Sequence, residues 1–451
     1  MSMKNLTVRA LAAACGGEIH GSVPEGEITA VVTDSRKILP GCLFAAIRGE
    51  RADGNDYINQ ALGSGALCAL AERLPGGGGV KGCAVLVPDT TAALQKIAGV
   101  YRRQFDIPVI GVTGSVGKTT AKEMAAAVLA RKFNVHKTAG NFNNDLGVPL
   151  TLFGLTEEHT AAVVELGVSH PGDMARIAVI ARPTCALYTV IGDAHLEFLK
   201  SREGVLREKS VMNDYLPEDG FVVCSGDDPL LAGMACRQRK ITYGLGESCG
   251  VRAERVEALP SGGTRCVIAA GERRFPVEIG AFGEHMVSAA LAAAALGIEL
   301  GLSDAEIAAG IADFVPMPGR ARLFKTARLT VIDDCYNANP SSVASALRSL
   351  SAMPGRKTAI LGDMLELGER SAALHREAGA LARERGVDLV LTTGGEAKLI
   401  AEGAGEIGRH FSDKAELIET LPSLLKFGGA VLVKASRGAR FEEIVEALKE
   451  I

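Results

Sequence analysis

The sequence predicts an α/β protein of three domains, a central parallel-sheet domain flanked by an N-terminal α/β domain and a C-terminal α/β domain. Three observations predict it. At 451 residues the chain is too long for a single core. Short apolar runs with β-branched residues alternate with helical patterns along most of its length, and strands that alternate with helices imply parallel sheets. The pattern also resets after Pro316-Met-Pro-Gly-Arg320, which has the composition of a linker. The expected domains are residues 1–105, 106–317 and 318–451.

Composition narrows the function. With 47% apolar and 23% charged residues the chain reads as globular, and 53 glycines suit many tight turns. The net charge of -4 and the lack of any Lys/Arg cluster argue against nucleic acid as a partner. Ten cysteines, at 15, 42, 68, 83, 185, 224, 236, 249, 266 and 335, form no C-x-x-C pair and mostly sit in apolar runs. Buried thiols in a reducing compartment are expected rather than disulfides or zinc ligands. The apolar stretch at 10–15, closed by Gly16-Gly17, reads as a first helix capped by Thr7 rather than a signal peptide. No window approaches the roughly 18 apolar residues that span a bilayer. A cytoplasmic protein is expected.

Within 1–105, polar Asp34, Ser35 and Arg36 precede a strand at 42–47. The hydroxyl of Ser35 and the guanidinium of Arg36 suit an anionic ligand, while a turn whose side chains only cap backbone fits the same residues. Residues 74–79, a proline and a run of glycines, read as a loop.

Residues 107–131 organise the rest. The apolar run Ile107, Val109, Ile110, Val112 is a strand, and glycines at 111, 114 and 117 form a turn. Ala121, Met124, Ala125, Val128 and Leu129 then fall on one face of a helix. Glycines between a strand and a helix N-terminus let backbone N–H groups close around phosphate, where the helix dipole also favours an anion. The loop residues Gly114, Ser115, Val116, Gly117, Lys118, Thr119 and Thr120 are therefore a phosphate-binding loop, with Lys118 reaching the β/γ-phosphates and the Thr119 hydroxyl on Mg²⁺. The strict G-x-x-x-x-G-K-[ST] form would need glycine where the chain has Val112, so the match is to the T-G-x-x-G-K-T core. Such a loop alone does not say whether phosphate is hydrolysed, transferred or used to activate another group.

Asn141, Asn143 and Asn144 lie in a turn and serve either as turn formers or as amide donors to a polar substrate. The strand at 160–166 carries Glu165 at its C-terminal end, the edge where open α/β sheets gather ligands and metal ions. A second strand, 185–190, leads to His195 and a polar helix at 201–212 with Lys209, Glu203 and Glu208. On the residues alone His195 is a structural histidine and Lys209 a solvated lysine. Alternation over 250–280 around Ser261-Gly-Gly reads as a β-hairpin, followed by an alanine-rich helix at 287–300. Beyond the linker come strands at 329–333, 358–361, 387–392 and 430–434, with helices at 340–350, 371–385 and 441–449. They form a Rossmann-like parallel sheet.

Taken together the motifs resemble the Mur ligases of peptidoglycan synthesis, ATP-dependent amide-bond formers with three domains. The resemblance covers nearly the whole chain. It rests on Thr113-Gly-Ser-Val-Gly-Lys-Thr119, Gly140-Asn-Phe-Asn-Asn144, Glu165-Leu-Gly, Gly192-Asp-Ala-His-Leu-Glu-Phe198 with Lys209 downstream, Gly319-Arg320 and Val433-Lys-Ala-Ser-Arg437. Two further motifs, Tyr336-Asn-Ala-Asn-Pro340 and Gly362-Asp-Met-Leu-Glu-Leu-Gly368, point to the member that adds D-alanyl-D-alanine to UDP-N-acetylmuramoyl-tripeptide.

The resemblance implies site residues. Lys118 and the glycines would hold the ATP phosphates, Thr119 and Glu165 one Mg²⁺, and His195 a second. Lys209 matches the lysine that the family carbamylates with CO₂, which turns a cation into an oxygen ligand suited to Mg²⁺. Arg320 would contact phosphate, and Asp334, Tyr336 and Asn339 the nucleoside. Ser35, Arg36, Asn141 and Asn144 look like the side that takes the UDP-sugar-peptide. The implied enzyme is a monomer of three domains, with Lys118, Glu165, His195 and Lys209 as its catalytic set. Two departures stand out. The usual G-x-H-N-x-x-N appears as Gly283-Glu-His-Met-Val-Ser-Ala289, with Met286 and Ala289 where asparagines contact adenine, and Asp53-Gly-Asn55 stands where histidine is common. The rival readings are another Mur ligase or a folylpolyglutamate-synthetase-like amide ligase, a P-loop NTPase without ligase activity, and a non-catalytic nucleotide-binding relative.

Overall fold

The computed structural model describes residues 3–49, 52–76, 79–259 and 262–451. The first sheet contains β1 (Glu18–Gly21), β2 (Val31–Val32), β3 (Leu43–Ala45), β4 (Cys68–Ala71) and β5 (Cys83–Leu86), in the order β1-β5-β4-β3-β2. Only β1 runs antiparallel to its neighbour. Helix Val8–Cys15 begins at Thr7, whose hydroxyl accepts from the Ala10 amide, and ends at Gly16 with φ 71°. The expected cap is therefore in place. The glycine run at 74–79 lies partly outside the described residues, as does Ser261 of the expected hairpin turn.

The central sheet contains β6 (Val109–Thr113), β7 (Val135–Lys137), β8 (Ala161–Glu165), β9 (Cys185–Tyr188), β10 (Phe221–Ser225), β11 (Arg239–Gly244), β12 (Val251–Ala258), β13 (Thr264–Ala270) and β14 (Arg273–Ile279). Its order is β14-β13-β12-β11-β10-β9-β6-β8-β7. The strands from β7 to β12 are parallel, and β12, β13 and β14 form an antiparallel meander, one strand more than the expected hairpin. Because β6 sits between β8 and β9, the loops that follow all three open on the same edge.

The third sheet contains β15 (Arg322–Lys325), β16 (Leu329–Asp333), β17 (Lys357–Leu361), β18 (Leu389–Thr393), β19 (Gly408–Phe411) and β20 (Gly429–Lys434), in the order β15-β16-β20-β17-β18-β19. All its pairs are parallel except β15 with β16. Helix Pro340–Ser351 starts where Asn339 accepts from the Ser342 amide at 2.8 Å, with Pro340 in the first turn. All ten cysteines are free, nine of them buried.

The helix Lys118–Leu129 that follows β6 is held from outside by helices Glu284–Glu299 and Asp304–Ala312. The five residues expected on its inner face, Ala121, Met124, Ala125, Val128 and Leu129, are all buried. Two glycines let the outer helices approach. A Cβ at Gly310 would stand 2.5 Å from the Val128 Cα, and one at Gly297 would stand 3.1 Å from a Val128 methyl. Gly310→Ala is therefore expected to lower unfolding stability by about 1–3 kcal/mol in urea titration, through forced displacement of the helix. Gly63→Ala, where nothing lies within 4 Å, should show no loss. Equal stability of the two variants would refute the close-packing account.

Candidate active site

The loop after β6 is shaped by backbone constraints before any side chain acts. Gly114 has φ 149°, and a Cβ there would lie 1.9 Å from the Thr189 hydroxyl, so only glycine fits. The loop is tied to the segment after β9. The Ser115 amide donates to the Val190 carbonyl at 2.7 Å, the Thr189 hydroxyl donates to the Val116 carbonyl at 2.6 Å, and the Ser115 hydroxyl accepts from the Gly192 amide at 3.0 Å. Lys118 bends back over the loop, its ammonium donating to the Gly114 carbonyl at 2.8 Å. Burial pushes the Lys118 amine down from its ordinary value and Arg320 adds to this, with Glu165 opposing.

Glu165 ends β8 beside this loop and is 2% exposed. Its Oε1 accepts from the Asn143 amide at 2.8 Å, whereas Oε2 is buried with no hydrogen-bond partner among the described residues. An orphaned carboxylate oxygen facing a phosphate-binding loop fits a hard divalent cation, which takes oxygen ligands.

One cavity of about 280 Å³ collects most of the expected residues. From the central domain Ser115, Val116, Gly117, Lys118, Thr119, Thr120, Asn141, Asn144, Glu165 and His195 line it. From the third domain come Arg320, Asp334, Tyr336 and Asn339. Gly114 belongs to the loop without facing the cavity. The Arg320 guanidinium stacks on the Tyr336 ring at 3.7 Å, a cation–π contact that holds both side chains at the mouth between domains. The Asp334 carboxylate is taken by Lys434, whose ammonium donates to it at 2.6 Å, and the Asn339 oxygen is used as a helix cap.

Lys209 corrects the reading from residues alone. It is 1% exposed rather than solvated, and the neighbouring Glu208 turns its carboxylate away to the amides of Gly172 and Met174 at 2.8 and 2.7 Å. The helix that carries it runs Arg202–Ser210, and its charged appearance hid two inward charged positions, Glu208 and Lys209, which are buried with Val205. Burial, reinforced by Lys118, drives the Lys209 amine well below the ordinary lysine value against the pull of Glu208, Glu165 and Asp173. Lys209 therefore shares an electrostatic environment with Lys118 and Glu165 although it does not line the cavity.

Ser35 and Arg36 are not brought to this cavity. Asp34 caps the short 3₁₀ turn Ser35–Lys37 and accepts two hydrogen bonds from the Arg36 guanidinium, at 2.9 and 2.8 Å. That pairing holds the Asp34 carboxyl far below the usual carboxylate range. The capping turn foreseen for these residues is thus what forms.

Asn143, read in the sequence with Asn141 and Asn144, lines the cavity, and so do Lys434, Phe282, His285, Ser345 and Ser349, which were not singled out as site residues. Asn143 and Lys434 stood inside recognised motifs, so a signal existed. His285 is the third residue of Gly283-Glu-His, and both its ring nitrogens are buried without partners among the described residues. Burial lowers its pKa, so the ring is held neutral. Met286 and Ala289, which stand at the asparagine positions of the motif, are buried in the core and do not line the cavity.

Comparison with known proteins places these features. Three family models match, the Mur ligase middle domain over residues 112–297, the Mur ligase glutamate ligase domain over 319–437, and the Mur ligase family catalytic domain over 27–102. The chain is 37% identical over 431 residues to the UDP-N-acetylmuramoyl-tripeptide–D-alanyl-D-alanine ligase of Bacillus subtilis, covering 94% of this chain and 93% of that protein. Its fold is similar to the crystal structure of MurF from Acinetobacter baumannii, with a TM-score of 0.93, 32% identity and all of both chains covered. It is also similar to the MurF ligase of Thermotoga maritima in complex with ADP, with a TM-score of 0.83, 31% identity, and 93% of this chain and 97% of that one covered.

The buried amine of Lys209 has a consequence for stability. Lys209→Met keeps the apolar stem and removes a group that burial disfavours, so the variant is expected to unfold at the same or higher urea concentration. A loss above about 1 kcal/mol would show instead that the amine supports the fold.

Proposed function

The chain belongs to the Mur ligase family, and we propose that it joins D-alanyl-D-alanine to UDP-N-acetylmuramoyl-tripeptide with hydrolysis of ATP to ADP and phosphate. The observation that carries the reading is the single cavity in which a phosphate-binding loop, an orphaned carboxylate oxygen on Glu165 and third-domain side chains Arg320, Asp334, Tyr336 and Asn339 meet. The reading adopts a division into residues 1–105 for the UDP-substrate, 106–317 for ATP and 318–451 for the nucleoside and closure.

The chemistry is carboxylate activation. An oxygen of the tripeptide carboxylate attacks the γ-phosphorus of ATP in line, the bond to the β,γ-bridging oxygen breaks, and ADP leaves. The product is an acyl phosphate. The dipeptide amine, having lost a proton, attacks the acyl carbon, and the tetrahedral intermediate collapses to the amide and inorganic phosphate. No side chain becomes covalently attached to substrate.

The residues act by position and charge. The loop amides and the Lys118 ammonium hold the β- and γ-phosphates and offset the charge of the transferring group. Arg320 approaches the phosphates from the third domain. Thr119 and Glu165 would hold one Mg²⁺ and His195 a second, and Mg²⁺ bound there supplies Lewis-acid stabilisation of the phosphoryl oxygens. In this reading Lys209 would be carbamylated, as the family resemblance implies: burial disfavours its charged form, the uncharged amine is the form that adds to CO₂, and a carbamate would supply oxygen ligands suited to a divalent cation. Asn141 and Asn144 face the peptide end, and Ser35 and Arg36 the UDP end. A monomeric enzyme is part of this reading. No helix among the described residues is long and apolar enough to cross a membrane, which accords with work on a cytoplasmic precursor.

Phosphate release from ATP and Mg²⁺ with UDP-N-acetylmuramoyl-tripeptide should require D-alanyl-D-alanine and yield an amide product of matching mass. Release supported by a different amine would move the protein to another Mur ligase activity, and release with no amine would make it an NTPase. Lys118→Ala should cut kcat by about 100-fold or more. Lys209→Ala should lose turnover that added short carboxylates partly restore, and full activity in that variant would remove the carbamate from the mechanism.

A further inference from the structure

One contact across the seam between the central and third domains is not used by the phosphate chemistry above. The Glu366 carboxylate, from the loop after β17, receives the His195 Nδ1 of the central domain in a short interdomain hydrogen bond. Both residues hold left-handed backbone, with φ 55° at His195 and 61° at Glu366, which residues bearing a Cβ seldom adopt unless their surroundings enforce it. The surroundings do so here. The Glu197 amide reaches the Glu366 carbonyl at 3.4 Å, and Gly368, φ 59°, lies so close that a Cβ on it would stand 3.3 Å from the Glu197 Cα. Two segments of unusual backbone therefore dock on each other, with the His195–Glu366 pair at the contact.

The pair has a directional effect on the ring. A carboxylate that accepts from Nδ1 selects the tautomer with the proton on that nitrogen and leaves Nε2 as a lone pair. His195 lines the phosphate cavity, and Nε2 is the nitrogen that remains for it. Glu366 sits on the same domain as Arg320 and Tyr336, so any docking of that domain on a bound nucleotide delivers the carboxylate to the histidine.

We propose that Glu366 is a positioning residue that, from the third domain, accepts the Nδ1–H hydrogen bond of His195 and so presents the Nε2 lone pair to a divalent cation in the phosphate cavity only while the two domains are docked. The inference rests on the reading of that cavity as a nucleotide and cation site. Domain docking is then part of cation binding, as well as a cover over the substrate.

The experiment measures Mn²⁺ affinity by electron paramagnetic resonance in the presence of ADP for the native chain, Glu366→Gln, Glu366→Ala and the neighbouring control Glu369→Gln. ADP affinity in EDTA is measured alongside to show that each variant is folded. Glu366→Ala should weaken Mn²⁺ about 10-fold or more with ADP affinity in EDTA unchanged. Glu366→Gln, whose amide oxygen still accepts from Nδ1, should fall between, and the control should match the native chain. In ¹⁵N spectra of histidine-labelled protein the His195 ring, assigned by its loss in His195→Asn, should show the Nδ1–H tautomer in the native chain and lose it in Glu366→Ala. Mn²⁺ affinity within twofold of native in Glu366→Ala, or an unchanged His195 tautomer, overturns the proposal while leaving the cation site intact. If the native chain itself binds no Mn²⁺ with ADP, the reading of the cavity fails and this inference fails with it.

Discussion

The rest of the site depends on an electrostatic imbalance, two buried amines set near one buried carboxylate. Lys118 and Lys209 are both pushed down by burial, the Lys118 charge lowers Lys209 further, and Glu165 opposes the shift at both. Burying charge without full compensation costs free energy, so the folded chain holds this arrangement only because the surrounding sheet over-determines it. The placement of β6 between β8 and β9 does that, putting the phosphate-binding loop, Glu165 and the Thr189–Gly192 segment on one edge. An anionic ligand with several oxygens relieves the imbalance, and a divalent cation relieves the orphaned Glu165 oxygen. The two are most effective together. That pairing is why the cavity suits a metal-bound nucleotide better than either component alone.

The cavity is complete only at a domain seam. Its central-domain wall carries the phosphate chemistry, while Arg320 and Tyr336 close it from the third domain as a stacked pair. The same seam is stitched beside the cavity, where the Asp193 amide donates to the Ser341 hydroxyl at 3.1 Å and Gly192 leaves no room for a Cβ against that serine. These polar contacts sit on an apolar cluster that runs on from the central domain into the third, through Ile332, Val343, Leu347 and Leu374. A closed seam suits a reaction in which an acyl phosphate must be shielded from water.

Much of this was legible in the sequence, for reasons that differ by element. The strand 329–333 and the capped helix at Pro340 were readable because β-branched runs and an Asn-Pro cap are local signals. The loop around Lys118 was readable because its glycines answer to backbone geometry that no other residue satisfies. Lys209 was not. Its helix is dominated by charged residues, and burial there is imposed by packing against segments far away in sequence, which periodicity cannot register. The place of Glu208 was hidden for the same reason, since its carboxylate serves the amides of Gly172 and Met174 more than thirty residues upstream. Asn339 and Asp334 show a subtler limit: both face the cavity, yet each already has a structural partner that spacing alone did not reveal.

The base end of the cavity follows a different logic from the phosphate end. Met286 and Ala289 turn into the core of the alanine-rich helix, so the positions that a G-x-H-N-x-x-N motif would give to amide side chains contribute packing instead. Facing the cavity there are His285, its two ring nitrogens without partners among the described residues, Ser345 and Ser349, and apolar Phe282, Leu323, Ile332 and Ala346. A neutral imidazole offers one donor and one acceptor, and its tautomer adjusts to the group it meets. In the proposed complex a purine would therefore meet apolar walls together with the adaptable imidazole of His285 and the hydroxyls of Ser345 and Ser349. Binding strength would come from the phosphate end, where charge is concentrated, and the base would mainly set the distance at which the third domain comes to rest.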